Sequence, residues 1–228
     1  MVFATIPPQP MSATPEAILA GLSDRQREAG LATEGPELVI AGPGSGKTRA
    51  LTHRIAYLIA GDRHPTGILA VTFTNRAAGE MRERVGQLLG MTSATRRPAR
   101  REDDPPWIGT FHAFAAYVLR PEATRIGFKP NFTIYDESDA ASLLREVMKE
   151  EAINAERYPP PLIASAISRL KGDLTAPSEY EGRASEEPFE RTLGRIYDAY
   201  QQRLVFANAM DFDDLIFHTV RLLAKDAS

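Results

Sequence analysis

One glycine-rich string limits what this chain can fold into more than any other feature. It follows an apolar run at residues 38–41, which predicts a buried strand, and precedes a stretch of helical periodicity. The string, hereafter the phosphate loop, consists of Gly42, Pro43, Gly44, Ser45, Gly46, Lys47 and Thr48. Glycines let backbone N–H groups approach phosphate oxygens, and a helix start adds partial positive charge. The string therefore predicts phosphate binding in preference to an ordinary glycine-rich turn.

Two side chains of the phosphate loop have chemical roles of their own. Lys47 is expected to reach the β- and γ-phosphates of a nucleotide, and Thr48 to supply a hydroxyl ligand to Mg²⁺. These two residues are the candidate catalytic pair, and Thr48 is the candidate metal ligand. The strict pattern has glycine at position 41, where this chain has Ala41.

Strand-like and helical patterns alternate through the first half of the chain. The helical stretch after the loop ends at Gly61. A second strand is predicted at residues 68–72, followed by a helix that ends at Gly90, and a third at 107–110, followed by a helix from about 112 to 120. Such alternation predicts an α/β fold with a parallel sheet and helices on its faces.

After Pro121 the pattern becomes mostly helical. Residues 137–205 hold several helical patterns, broken by prolines at 159–161 and by Gly172, and a short strand candidate precedes them at 132–135. A last helix follows Asp211, whose spacing to Asp214 resembles a capping box. This region therefore predicts a helical subdomain.

The composition excludes several classes of chemistry. The 228 residues contain no cysteine, which excludes disulfides, thiolate metal sites and cysteine nucleophiles. No run approaches the roughly 20 apolar residues of a membrane span, and the first ten residues lack a secretory signal, so we expect a cytoplasmic protein. The net charge of −3 decides nothing about nucleic acids, because a basic face can be hidden in the total. The basic run at 96–101 is interpreted as a solvated loop.

Five strings of this chain resemble segments of the UvrD/Rep/PcrA-type DNA helicases. Residues 41–51, AGPGSGKTRAL, resemble the first motif, in which alanine commonly occupies the position of Ala41. Residues 22–29, LSDRQREA, resemble the glutamine motif. Residues 68–85 and 109–114 resemble two strings that contact DNA, and residues 210–216 resemble the segment that returns the chain to the sheet. The resemblance runs from about residue 22 to 223 and predicts the family.

The resemblance implies a nucleotide site and a DNA site. Gln26 maps to the glutamine that reads adenine, and Phe73 to an aromatic residue that stacks on a base of single-stranded DNA. The implied nucleotide site comprises Gln26, Gly42, Pro43, Gly44, Ser45, Gly46, Lys47, Thr48 and Arg49. The implied DNA site comprises Phe73, Thr74, Asn75, Thr110, Phe111 and His112. From the residues alone, Phe73 is more typical of a core, Gln26 of a solvated helix and His112 of a helix start.

The resemblance also implies an architecture and an activity. The expected fold is a RecA-like P-loop NTPase sheet with an inserted helical subdomain. The expected divisions are a flexible leader at 1–15, the motor domain at 16–120, the insertion at 121–205 and a return segment at 206–228. The implied activity is ATP-dependent 3′–5′ DNA unwinding with Mg²⁺ in repair or replication, acting on single strands and their duplex junctions. The alternative is a non-catalytic module that binds nucleotide or single-stranded DNA.

The carboxylates needed for hydrolysis are expected beyond residue 228. In the family they end an apolar strand as Asp-Glu, so we expect this chain alone to be inactive. Asp136 and Glu137 imitate that motif after the strand candidate, but Asp136 and Asp139 suit a helix cap, which is our interpretation. Asp213 and Asp214 are interpreted as charge at a helix start. The stretch at 92–106 is interpreted as a surface loop insertion.

Overall fold

The chain, represented by a computed structural model, is described for residues 14–61, 63–90, 106–181 and 187–226. These residues divide into two compact units, Met1–Thr110 (the first unit) and Phe111–Ser228 (the second unit). Residues 1–13 of the expected leader, the basic run at 96–101 and all but Pro106 of the expected insertion lie outside the described residues.

The described part of the first unit contains helices and a two-stranded parallel sheet. The helices are α1 (Pro15–Leu19), α2 (Asp24–Leu31), α3 (Lys47–Ala60) and α4 (Asn75–Leu88), and the strands are β1 (Leu69–Thr72) and β2 (Trp107–Thr110). Leu69 pairs with Trp107 and Thr72 with Thr110. The predicted strands at 68–72 and 107–110 and the helices after the phosphate loop and after Thr74 are therefore confirmed.

Helix α4 packs against both strands of this sheet, and helix α3 packs against α4. The apolar residues that they bury with the strands are Ile55, Ala56, Ile59, Ala70, Met81, Val85 and Ile108. The i, i+4 spacing of Ile55 and Ile59 places both on one face of α3, and Met81 and Val85 do the same on α4. This core holds the starts of α3 and α4, where candidate site residues lie.

The prediction of a buried strand at residues 38–41 is wrong. Residues 37–42 form no strand, and Leu38 and Ile40 are 84% and 89% exposed. A strand requires a neighbour for its backbone N–H and C=O groups. In the described part of the first unit, β1 and β2 pair only with each other. The observed class is α/β with parallel strands, but each described sheet has two strands instead of the larger RecA-like sheet that was expected.

The second unit is mostly helical in its described residues. Its helices are α5 (Phe111–Glu122), α6 (Glu137–Glu150), α7 (Pro160–Gly172), α8 (Pro177–Glu181), α9 (Pro188–Phe206) and α10 (Phe212–Asp226). Its strands, β3 (Thr133–Ile134) and β4 (Ala209–Met210), pair in parallel. The strand candidate at 132–135 is thus confirmed. Helix α5 was predicted to end before Pro121 but continues through it to Glu122; proline has no N–H to donate to the residue four positions earlier, and the helix ends one residue later.

Two apolar clusters stabilise the second unit. The first joins α6, α7 and α9 and includes Leu144, Val147, Ile163, Ile196 and Leu204. The second joins α5, α10 and β4 and includes Leu119, Phe128, Phe132, Met210 and Leu215. No helix in the described ranges of either unit is long and apolar enough to cross a bilayer.

Candidate functional site

The phosphate loop leads directly into α3 through backbone that favours glycine. Gly44 and Gly46 have φ of +75° and +82°, in the left-handed region that L side chains rarely adopt. Gly46 is the N-cap of α3, and no side chain caps that end of the helix. The first N–H groups of α3 therefore lack an intrahelical partner and suit an anion.

Lys47 folds back over the phosphate loop. Its Nζ donates to the carbonyl oxygens of Ala41 and Gly42, each at 2.8 Å. Ser45 Oγ donates to the same Gly42 oxygen at 2.7 Å, so the loop is closed by its own side chains. A phosphate would have to compete with two neutral carbonyls for the lysine, and an ionised acceptor forms the stronger hydrogen bond.

Gln26 lies against the phosphate loop although 19 residues separate it from Ser45. Its Nε2 donates to the carbonyl oxygen of Ser45 at 2.8 Å. Its Oε1 accepts from the N–H of Ser23 at 3.1 Å, in a capping box that begins α2. Gln26 is therefore not a residue of a purely solvated helix, and the structure brings it together with the loop.

Thr48 and Arg49 occupy the first turn of α3 and are both exposed. Arg49 donates to the carbonyl oxygen of Gly21 at 3.0 Å, which links α3 to the segment before α2. In the part of the chain that the structure describes, no group of three or more His, Asp or Glu side chains could hold a metal ion. A hydroxyl such as that of Thr48 can supply one protein ligand to Mg²⁺, which usually keeps several waters and binds phosphate oxygens.

The predicted DNA-binding residues of the first unit lie at the carboxyl ends of β1 and β2. Phe73 follows β1 and is 89% exposed, so it is not a core residue of this unit. Thr74 caps α4 by accepting from the N–H of Ala77 at 3.1 Å, and Asn75 is the exposed first residue of that helix. Thr110 ends β2, pairs with Thr72 and is buried.

Phe111 and His112 belong to the second unit, at the start of α5. Phe111 is 44% exposed, and His112 is exposed and packs edge-to-face on Phe212 with ring centroids 5.3 Å apart. The contact of His112 with Phe212 connects α5 to α10 within this unit. The predicted DNA-binding set is thus divided between the two units.

Asp136 is a helix cap, as the sequence analysis concluded. It accepts from the N–H groups of Ser138 and Asp139 at 2.8 and 2.9 Å, and Asp139 accepts from the N–H of Asp136 at 3.2 Å. The hydrogen bond from Asp139 is the largest influence on the Asp136 carboxyl and lowers its pKa, with Ser138 helping. Helix capping by these hydrogen bonds accounts for the presence of Asp136, so no catalytic role is needed to explain it.

A buried ion cluster that was not predicted from the sequence lies in the second unit and is formed by Lys171, Asp211 and Asp214. Lys171 is 2% exposed, and its Nζ lies 2.7 Å from Asp211 Oδ2 and 2.8 Å from Asp214 Oδ1. Tyr200 donates to Asp211 at 2.9 Å, and Gln201 donates to Asp214 at 3.1 Å. The cluster therefore connects α7, α9 and the start of α10.

The predicted capping box of Asp211 and Asp214 is confirmed, but charge at a helix start explains only part of their role. Asp214 N–H donates to Asp211 at 2.8 Å, while Asp214 is fully buried. Burial raises the pKa of Asp214 to about 6 against the opposing charge of Lys171. Burial alone would lower the pKa of Lys171, but Asp214 and Asp211 outweigh it and raise the pKa. One lysine thus neutralises only one of two buried carboxylates.

The second unit also contains a cavity of about 910 Å³. It lies between α6, α7 and the start of α10, and its lining includes Tyr135, Arg145, Ser165, Arg169 and Asp213. None of the residues predicted to bind nucleotide or DNA lines it. Phe212, which packs on His112, is however among the residues that line the cavity.

The chain is similar to a known domain family and to curated proteins over most of its length. The model of the UvrD/REP helicase N-terminal domain matches residues 22–228. The ATP-dependent DNA helicases PcrA of Staphylococcus aureus and Staphylococcus epidermidis are each 41% identical to this chain over 210 residues. The matched region covers 92% of this chain and 27% of each relative. The chain therefore spans about a quarter of the length of these relatives.

Proposed function

The chain belongs to the UvrD/REP helicase N-terminal domain family, and from this premise we propose that it is the ATP- and single-stranded-DNA-binding part of an ATP-dependent DNA helicase. The curated relatives are ATP-dependent DNA helicases by name. Translocation in the 3′ to 5′ direction, action at single-strand to duplex junctions and a role in repair or replication are parts of this proposal. So is the division into a motor domain at 16–120, an inserted subdomain at 121–205 and a return segment at 206–228.

The observation that carries the proposal is the geometry of the phosphate loop. Two left-handed glycines open the N-terminus of α3, and a lysine with an exposed side chain follows immediately. Backbone N–H groups, helix polarity and an ammonium then lie together at the start of α3, which suits a triphosphate. We assign the phosphates to this loop, with Lys47 moving from its carbonyl partners to the β- and γ-phosphate oxygens.

Mg²⁺ would supply charge neutralisation to the bound triphosphate, with Thr48 as its protein ligand. Thr48 is exposed in the first turn of α3, one residue beyond Lys47. The adjacency of the two residues lets the ammonium and the hydroxyl serve neighbouring phosphate oxygens. Gln26, held beside the loop, would contact the adenine and select ATP over other nucleotides.

The proposed DNA contacts use residues at the carboxyl ends of β1 and β2 in the first unit and at the start of α5 in the second. Phe73 presents an exposed aromatic face, which can stack on any base and so suits movement along every sequence. The Thr74 hydroxyl accepts a hydrogen bond within α4 but retains its proton, which it can donate to a DNA phosphate. Asn75, Thr110, Phe111 and His112 complete the proposed set.

ATP binding to the 228-residue chain tests the proposal. We expect Lys47→Ala to weaken ATP binding roughly 10- to 100-fold, because a charge-assisted contact to the phosphates is lost. The matched control is Lys149→Ala, which removes an exposed lysine from α6 in the other unit and should leave the affinity unchanged. Isothermal titration with Mg²⁺ and ATP measures both. Equal affinities of wild type and Lys47→Ala would reject the phosphate-loop assignment.

A further inference from the structure

We propose that Gln26 is a positioning residue of the phosphate loop, which it orients for phosphates before any base is bound. This inference rests on the proposed function and adds a second role to the same side chain. The starting observation is that Gln26 Nε2 donates to the carbonyl oxygen of Ser45 at 2.8 Å. The adenine-reading role alone gives no reason for that bond.

The bond to Ser45 fixes the orientation of one peptide group. The peptide between Ser45 and Gly46 is trans, so its C=O and N–H point in opposite directions. Holding the Ser45 oxygen towards Gln26 therefore turns the Gly46 N–H to the opposite side of the loop. Gly46 is the N-cap of α3, so this N–H lies beside the helix N–H groups that attract an anion.

The absence of a side chain at Gly46 lets the Gln26 amide approach the backbone of the loop. A Cβ at position 46 would lie 2.5 Å from Gln26 Nε2, closer than real Cβ contacts permit. The φ of +82° is a separate reason for glycine at the same position. Glycine at 46 is thus required by the turn, and its missing Cβ also leaves the Gln26 amide in place, since any larger residue would make that amide shift.

Helix α2 provides a fixed base for the amide. The backbone N–H of Ser23 donates to Gln26 Oε1 and holds the side chain at the start of α2. Arg49 on α3 donates to Gly21 before α2, and Arg54 on α3 donates to Ala29 near its end, both at 3.0 Å. Because α3 holds α2 near both ends, the position of Gln26 relative to the loop is set by the first unit itself.

The two roles of Gln26 are compatible. A glutamine amide has two N–H donors and a carbonyl with two lone pairs. One N–H is given to Ser45 and one lone pair to Ser23. One donor and one lone pair remain, which is the pair needed by the edge of adenine. Gln26 can therefore contact base and phosphate loop together, so that base recognition and loop geometry depend on one side chain.

A base-free probe tests the inference. We expect Gln26→Met to weaken the binding of inorganic tripolyphosphate with Mg²⁺ about fivefold, the effect of one net hydrogen bond, and to weaken ATP binding further. In the same variant, ¹⁵N relaxation of the Gly46 amide should show increased motion without ligand. Titration calorimetry of the 228-residue chain gives the affinities, after circular dichroism shows that each variant is folded.

The matched control is Ser23→Ala, which removes the oxygen that caps α2 but leaves the amide of Gln26 and the Ser45 carbonyl intact. It should keep the tripolyphosphate affinity of wild type within about twofold, showing that loosening the start of α2 is not the cause. Loss of ATP affinity in Gln26→Met with unchanged tripolyphosphate affinity would overturn the inference and leave the adenine role intact. A wild-type chain that binds neither ATP nor tripolyphosphate would instead reject the proposed function, and the inference with it.

Discussion

Each unit of this chain contains one lysine at a notable position, and the two lysines lie in opposite environments. In the first unit, Lys47 is exposed at the mouth of a loop and bonds only to backbone carbonyls. In the second, Lys171 is 2% exposed and lies between two carboxylates. An exposed lysine can exchange its partners for a ligand. If a buried lysine moved away, its carboxylate partners would stay buried without a counter-charge. The same residue type is therefore placed for the proposed phosphate binding in one unit and for cohesion in the other.

The largest expected effect comes from the buried lysine. Lys171→Met leaves Asp211 and Asp214 buried without a counter-charge, which should lower the free energy of unfolding of the second unit by about 3–5 kcal/mol. Urea unfolding followed by far-UV circular dichroism reports mainly on its helices. Trp107, the single tryptophan, lies in the first unit, so its fluorescence follows that unit separately.

Two variants sharpen this result. Lys149→Met removes an exposed lysine and should change the stability by no more than about 0.5 kcal/mol. Adding Asp211→Asn and Asp214→Asn to Lys171→Met removes the uncompensated charge and should recover part of the loss. A loss below about 1 kcal/mol in Lys171→Met would show that the cluster contributes little to cohesion, and the contrast between the units would fail.

The next effect concerns an exposed aromatic residue in each unit. Phe73→Ala should weaken single-stranded DNA binding by about 1–3 kcal/mol, because a base stack is lost. Phe206 is 90% exposed at the end of α9, against 89% for Phe73, so Phe206→Ala is a matched control that should not change the affinity. Fluorescence anisotropy with a labelled oligonucleotide at one salt concentration measures both. Equal losses would show that exposure, and not the position after β1, decides DNA affinity.

The smallest effect is a pH dependence located in the second unit. Burial lowers the pKa of His218 to about 4, with Lys171 and Arg221 adding to the shift, and its Nε2 has no hydrogen-bond partner among the described residues. As the pH falls, His218 is therefore protonated in the unfolded chain before it is protonated in the folded chain. The free energy of unfolding decreases as the pH falls from about 6.5 towards 4.

Replacing His218 removes that contribution. Between pH 7 and pH 5, the free energy of unfolding should decrease by about 2 kcal/mol less in His218→Phe than in wild type. Phenylalanine keeps an aromatic ring against Phe128 and Phe217, which both pack edge-to-face on His218. Urea titrations of both proteins at the two pH values give the difference, in which the shared contribution of Asp214 cancels. Parallel stability curves would contradict the assignment of the pH dependence to His218.

Local patterns in the sequence predicted much of the fold but not the pairing of strands. The helix after Thr74 and the strands that became β1 and β2 follow from periodicity and cap residues within each segment. The apolar run at 38–41 predicted burial, yet Leu38 and Ile40 are exposed, because an apolar run does not determine whether a neighbouring strand lies beside it. Leu51, which lies four residues before Ile55 on α3, is 41% exposed although Ile55 is buried, because periodicity does not give the width of the covering surface.

Site residues were predictable where their signal lies in one short string. The phosphate loop is such a string, but the contact of Gln26 with Ser45 joins segments 19 residues apart and required the fold. Lys171 was missed because lysine in a helix is normally exposed. A signal was nevertheless present, since Lys171 lies four residues after Ile167 and eight after Ile163, on the face of α7 that is buried.

The most direct test of the account is to locate ATP on the chain by NMR. With ¹⁵N-labelled protein and Mg²⁺, we expect ATP to shift the amide signals of the phosphate loop, Gln26 and Arg49, all in the first unit. The signals of Lys171 and of the residues lining the second-unit cavity should remain in place. The same titration with Lys47→Ala should show these shifts only at much higher ATP concentrations. Shifts concentrated around the cavity, with the phosphate-loop signals unchanged, would contradict the account.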